Sequence, residues 1–405
     1  MAKDHGTGAT AASDEDGHVF SGYAGRLLLV MAVGTTTSMT GRLVLSPMLP
    51  TIIEDLGISP AEAGMALSVL WALTALSQFP GGRIADQWSR KTVLIGSLLC
   101  LIGGSTILLL SPSYSAFVAG VALFGTGAGL FPAAVFAQLT DLYTANRGQA
   151  FGVVSASNNL GGVLGSGLAT VVLTVAIWRV AYIPIIFVFG LVVVILHRLN
   201  REPYVIDPSG VDLELVGTGR RVIGLSRVRF MIIAAALYAV TWQGTASFLP
   251  TFLQIDKGFS PTLASNAFAG LFIVGMLANP VAGGLGDRFE YPHVALGSAV
   301  LGAVGLSVIV IAEGIVLSVA GIVIFAIGLA AFWPVMNAYV MAAFPDESAG
   351  GDFGAVRTIF IVIGSLGPTY VGVVAERLTY TAAFSGLVAC LCGAIAITSF
   401  LAWNH

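Results

Sequence analysis

Leu49–Pro60 reads LPTIIEDLGISP and Leu249–Pro261 reads LPTFLQIDKGFSP, nearly the same phrase written twice at a distance of 200 residues. The match extends outward from this pair in register. GGRIAD ending at Asp86 returns as GGLGD ending at Asp287, and Phe131-Pro132 returns as Trp333-Pro334. FGVVSASNNLGGVLG from Phe151 returns as FGAVRTIFIVIGSLG from Phe353. The landmarks keep an offset of 200 to 202, which predicts a duplicated unit.

Composition says where such a unit can live. Of 405 residues, 56% are hydrophobic and only 10% are charged, with a mean hydropathy of +0.91. A soluble domain carries roughly 25% charged residues, so the chain is expected to be a membrane protein. The net charge of -3 and scattered basic residues offer no surface for nucleic acid. Cys100, Cys390 and Cys392 lie in apolar runs without a His or further Cys to complete a metal set, so no metal and no cofactor are expected.

A helix needs about 20 apolar residues to cross a bilayer. The chain supplies twelve such runs, at 24–49, 62–85, 92–110, 115–141, 149–173, 180–198, 229–252, 263–285, 293–312, 315–343, 353–375 and 380–403. One long polar break, NREPYVIDPSGVDLELVGTGRRVIGLSR, separates runs six and seven. The expected organisation is a disordered cytoplasmic tail at 1–22, a six-helix bundle at 23–199, a cytoplasmic linker at 200–228 and a second six-helix bundle at 229–403. With the N-terminus inside, fourteen Lys and Arg lie at the inner face against Arg179, Lys257 and Arg377 outside. That bias predicts a multi-pass plasma-membrane protein with both termini cytoplasmic. Parallel repeats of this kind place a substrate path at their interface near the bilayer midplane.

The segment GGRIADQWSRK resembles the loop between helices two and three of the major facilitator superfamily, Gly-x-x-x-Asp-basic-x-Gly-basic-basic. Gly82, Asp86, Arg90 and Lys91 match it, whereas Gln87 and Ser89 depart from it. The resemblance covers residues 23 to 403 and implies an all-α fold of twelve transmembrane helices in two pseudo-symmetric bundles, working as a secondary transporter. It also implies an inner gate, in which Arg90 reaches Asp141. The residues give that gate a physical basis. Gly82 allows a close helix approach, and Asp86 can accept from the free amides that open helix eleven near Asp352 and Phe353. Gly283 and Asp287 would form a second, weaker gate against helix five near Gln149.

Arg42, in TTTSMTGRLVLSPMLP, is the one basic residue belonging to neither face. Counted back from a helix end near Leu49, its Cα lies roughly 10 Å inside the hydrocarbon. Thr35, Ser38, Arg42 and Ser46 share a helical face. Either this Arg is functional, or it snorkels or is capped by carbonyls. No Asp, Glu or His sits at mid-depth, so a proton-carrying carboxylate is not expected and an electropositive cavity is. One repeat period away stands Trp242, with Tyr238 and Thr245 on its face. Gln78, Asn158, Asn159, Gln243, Trp333 and Asn337 complete the candidate substrate wall. Arg357 is either a second anion contact or part of the gate around Asp86, and the gate is the reading taken.

These features predict a monomeric transporter of a small organic anion, by symport or exchange, with a multidrug or hydrophobic-solute exporter as the alternative. A channel needs a continuous pore lining and a membrane enzyme needs a catalytic constellation, and the helices carry neither signature.

Overall fold

The computed structural model describes residues 18–144, 146–207, 224, 226–286, 288–344 and 349–403. Twelve helices are long and apolar enough to cross a membrane, and no strand occurs among the described residues. In hydrocarbon the backbone has no water to bond, so each crossing segment closes its own hydrogen bonds as a helix. In chain order they are α1 (Gly22–Leu56), α2 (Pro60–Gln87), α3 (Arg90–Leu110), α4 (Tyr114–Leu142), α5 (Arg147–Val175) and α6 (Tyr182–Leu199). The second set is α7 (Ser226–Ile255), α8 (Pro261–Gly286), α9 (Tyr291–Ile311), α10 (Ile315–Met341), α11 (Asp352–Arg377 as its spanning part) and α12 (Tyr380–Trp403). An even number of crossings puts residues 18 and 403 on one face, the terminal face.

Two of these helices are broken by proline. Pro47 has no N–H for the Leu43 carbonyl, and α1 divides at Val44 into Gly22–Leu43 and Leu45–Leu56. Pro368 does the same to Gly364, and α11 divides at Ser365 into Ala349–Gly364 and Leu366–Arg377. Helix α1 therefore reaches Leu56, past the end expected near Leu49. Glu54 and Asp55 interrupt the apolar run there without ending the helix.

The duplication written in the sequence recurs in the packing. A Cβ on Gly104 of α3 would lie 2.4 Å from the Phe124 backbone nitrogen of α4. One on Gly305 of α9 would lie 2.2 Å from that of Phe325 on α10, one repeat period later. Both hairpins are drawn together backbone to backbone, an approach that only a missing side chain permits.

The terminal face is held by more than helix ends. Within the expected tail, Val19 is buried and its carbonyl accepts from the Tyr143 hydroxyl at 2.7 Å, so order begins before residue 22; residues 1–17 lie outside the described residues. After α6 the chain doubles back beneath the first bundle. Asn200 and Glu202 join Gln138 of α4, at 3.1 Å each, and the Val205 backbone pairs with Ser89 and Thr92. The first eight residues of the expected linker, 200–207, are thus a strap on the bundle. Residues 208–223 lie outside the described residues, and α7 has begun by Ser226.

The two bundles meet along α2 with α11 and α5 with α8, with α1 against α7 between them. Toward the opposite face these contacts are closed. The Thr369 hydroxyl donates to Ser68 Oγ at 2.7 Å, the Ser265 hydroxyl to the Ser166 carbonyl at 2.8 Å, and the Ala61 amide to Glu376 at 3.1 Å. A Cβ on Gly64 would stand 2.4 Å from the Pro368 carbonyl oxygen, and one on Gly372 would stand 2.3 Å from that of Pro60. Because the obstacle is backbone, Gly372→Val is expected to part α2 from α11 on this face. Labelling of a Ser68→Cys reporter by a membrane-impermeant maleimide should rise several-fold in that background; equal labelling would show that the contact does not close the face.

Candidate functional site

A cavity of about 740 Å³ lies between the bundles, in the half nearer the terminal face. Met39 of α1 reaches it from mid-helix, Asn158 and Asn159 from α5, and Trp242 from the middle of α7. Leu271, Phe272 and Asn279 come from α8, and Leu329, Trp333 and Asn337 from α10. Five of the expected wall residues, Asn158, Asn159, Trp242, Trp333 and Asn337, are thus brought together from three helices. Phe272 closes the cavity toward the opposite face. A Cβ on Gly162 of α5 would stand 2.4 Å from its ring, which is why α5 has glycine there.

The two tryptophans are fixed from behind. Trp333 stacks on Phe360 of α11 at 5.5 Å between centroids, and Tyr238 and Phe332 meet it edge to face. Phe272 meets Trp242 edge to face at 6.1 Å. Tyr238 itself, expected on the wall, is fully buried and stacked flat on Phe332 at 3.7 Å. It shares a helical stripe with Trp242, but one turn toward the terminal face that stripe runs into α10. Its place is behind Trp333.

Three other expected wall residues also lie off the cavity. Gln243 is buried and donates to the Ile361 carbonyl at 3.0 Å, tying α7 to α11. Gln78 is half-buried on α2 and makes no hydrogen bond among the described residues. Arg42 lies where α1, α2 and α7 converge. Its guanidinium carbon stands 4.9 Å from the centre of the Trp71 ring, and its buried Nε has no hydrogen-bond partner. The Trp71 indole N–H donates to Ser247 Oγ at 3.3 Å, and the Ser46 hydroxyl to the Ser247 carbonyl at 3.0 Å. With α1 extending to Leu56, Arg42 is about 21 Å from that helix end, deeper than the sequence count placed it. One turn away on the same face, the Ser38 hydroxyl is also buried and unpartnered.

Sequence reasoning passed over Asn279. Its neighbour Pro280 repeats Pro80 at the 200-residue period, which was the signal available. Among the described residues, no charged side chain lines the cavity and no cluster of metal-ligating side chains occurs.

The gate residues divide. Arg90 Nε reaches Asp141 at 3.1 Å, and the same guanidinium donates to the Ala85 carbonyl. That pair joins α3 to α4 inside one bundle. Lys91, expected in the gate, is buried, and its Nζ donates to the Asn200 carbonyl at 2.7 Å, so it holds the strap. Among the described residues nothing lies within 4 Å of where a Gly82 Cβ would be, so the expected close helix approach is not seen there. Arg357 makes no hydrogen bond or ion pair among the described residues. The Asp86 side chain, the surroundings of Gly283 and all of Asp287 lie outside the described residues.

Known proteins share both sequence and backbone with this chain. A probable nitrate transporter, NarT of Staphylococcus haemolyticus, is 22% identical over 366 residues, covering 89% of this chain and 91% of its own. A probable sulfoacetate transporter, SauU of Cupriavidus necator, is 31% identical over 160 residues, 39% of this chain and 37% of its own. The uncharacterised MFS-type transporter YwfA of Bacillus subtilis is 24% identical over 266 residues, and the match spans 64% of its length. Among solved structures, a bacterial homolog of the human lysosomal transporter Spinster, inward-facing and occupied, superposes with a TM-score of 0.80 at 19% identity, covering 94% of this chain and 97% of that one. The family model described as Major Facilitator Superfamily matches residues 31–368 and again 231–404. Matched by that model over most of its length, and folded as its structural neighbours are, the chain belongs to the Major Facilitator Superfamily of membrane transporters.

Proposed function

We propose that this transporter carries a small organic anion by alternating access, the two bundles rocking around the cavity between them. The observation that carries the reading is Arg42, a guanidinium within the membrane with a buried, unpaired Nε and no ion pair to a described acid. Every Asp and Glu of the sequence falls in a tail, a loop or at a helix end, so nothing at mid-depth neutralises it. Guanidinium donors in a partly desolvated site suit carboxylate, sulfonate or phosphate through paired hydrogen bonds. Relatives named as nitrate and sulfoacetate transporters support an anionic cargo. Asp86 and Asp287 are assigned to gating on the terminal face, and the basic-residue bias assigns that face to the cytoplasm of a monomer in the plasma membrane.

A second reading, export of hydrophobic solutes, draws on the uncharged cavity wall with Leu271, Phe272 and Leu329. Arg42 decides between the two. Arg42→Ala is expected to remove a charge-assisted contact of about 1.5 to 3 kcal/mol, weakening anion binding about ten- to a hundredfold. Arg42→Lys should restore only part, since an ammonium lacks the planar two-donor fork. Calorimetric binding at matched folding checks this, and unchanged anion affinity or preferential binding of cationic drugs would make the exporter reading the better one.

Coupling follows from the same charge distribution. Without a mid-membrane acid or His, transport in proteoliposomes is expected to run by exchange or cation-linked uptake. Substrate efflux driven by an imposed proton gradient with a fixed proton stoichiometry would contradict this.

A further inference from the structure

The cavity wall specifies the body of the cargo, given the reading that this cavity is the substrate site. Four asparagine amides from three helices reach it: Asn158, Asn159, Asn279 and Asn337. Their hydrogen-bonding capacity is unevenly spent. The Nδ2 groups of Asn158 and Asn159 donate to their own helix, to the Val154 carbonyl at 3.2 Å and the Ser155 carbonyl at 3.3 Å. Their amide oxygens remain. The side chains of Asn279 and Asn337 make no hydrogen bond among the described residues, and Asn337 Oδ1 is turned away from the cavity into the protein. The oxygens of Asn158 and Asn159, whose amide nitrogens are already committed, are the acceptors offered, so a ligand bringing N–H groups pairs with them.

The rest of the wall says how those donors are carried. Leu271, Phe272, Met276 and Leu329 are apolar, and Trp242 and Trp333 are held in fixed orientations by aromatic neighbours. A polyol would press hydroxyls against the apolar wall, each needing a partner. A flat ring confines its donors to one edge and gives its faces to indole. The volume of about 740 Å³ lies in the range of pockets for drug-sized ligands, far beyond a bare oxyanion. We propose that the cavity binds a flat heterocycle that presents ring N–H donors to the asparagine oxygens and stacks against Trp242 and Trp333. On the anion reading, the acidic substituent is carried toward Arg42, one helical turn beyond Met39 on the cavity wall.

The test uses the full chain purified in detergent and four probes: a lumazine carboxylate, its ring N,N-dimethyl twin, lumazine itself and naphthoate. Dissociation constants come from calorimetry. The N–H carboxylate is expected to bind at least about tenfold more tightly than its dimethyl twin, because a site built to accept from N–H groups rejects the analogue lacking them. Asn158→Leu and Asn159→Leu should each shrink that ratio, which is internal to each variant and so independent of how much protein is folded. Equal binding of the twins, a ratio unchanged in both variants, or no binding by any probe would overturn the heterocycle site. The two readings fail separately. Lumazine binding as tightly as its carboxylate, with Arg42→Ala silent and the N–H preference intact, overturns the anion reading alone. Naphthoate bound in an Arg42-dependent way, without any N–H preference, overturns the heterocycle alone.

Discussion

A polar group inside hydrocarbon has no water to turn to, and the rest of this structure follows from where each one finds its partner. Serines and threonines on the helices mostly bond back to their own backbone, as Thr35 does to the Met31 carbonyl at 2.9 Å and Thr74 to Leu70 at 2.8 Å. Such residues are satisfied before any helix meets another. The few that reach across the bundles instead define the closed seam: Ser46 to Ser247, Ser68 with Thr369, and Ser265 to Ser166. Among the described residues, the buried side-chain atoms left unpaired fall most often on α7, from Tyr238 to Gln254, and otherwise on α1 (Ser38, Arg42), α3, α10 and α12. Leftover capacity of that kind costs stability in a packed core.

Packing within a bundle and packing between bundles both rest on close backbone contacts at glycine. Gly104 against Phe124 and Gly305 against Phe325 bring neighbouring backbones into direct contact inside each half, and interlocked contacts of that sort do not slide. Between halves, the closed face combines a Gly64 and Gly372 seam with a handful of hydroxyl bonds. The aromatic ties of Trp333 to Phe360 and of Tyr238 to Phe332 stay within the second half.

The duplication, the twelve crossings and the polar break between halves were legible because hydropathy and repeat period are local properties of the sequence. So was much of the cavity wall, since Trp333 and Asn337, or Asn158 and Asn159, lie on helical faces that periodicity reveals. What failed to show was whatever depends on a distant partner. Lys91 sits in a motif that reads as a gate, yet its ammonium is held by the Asn200 carbonyl, 109 positions away. Tyr238 shares a face with Trp242, and only the position of α10 decides that one is wall and the other support. Asn279 is a single amide beside a proline, with no neighbours in sequence to mark it.

The strength of the seam bears on how the molecule can work. A hydrogen bond in a protein contributes about 1 kcal/mol net, so the inter-bundle bonds from Ser46, Ser265, Trp71 and the Ala61 amide, with the two from Thr369 to Ser68, amount to roughly 6 kcal/mol in all. A ligand shifts such an equilibrium only by its difference in affinity between the two states, and reversing a 99:1 population takes about 5.5 kcal/mol. The hydrogen bonds of the seam are comparable with that difference. Arg42 stands at this seam, over the Trp71 ring whose indole bonds Ser247. A partner for its guanidinium is therefore placed where a change in local contacts acts on the closed face itself.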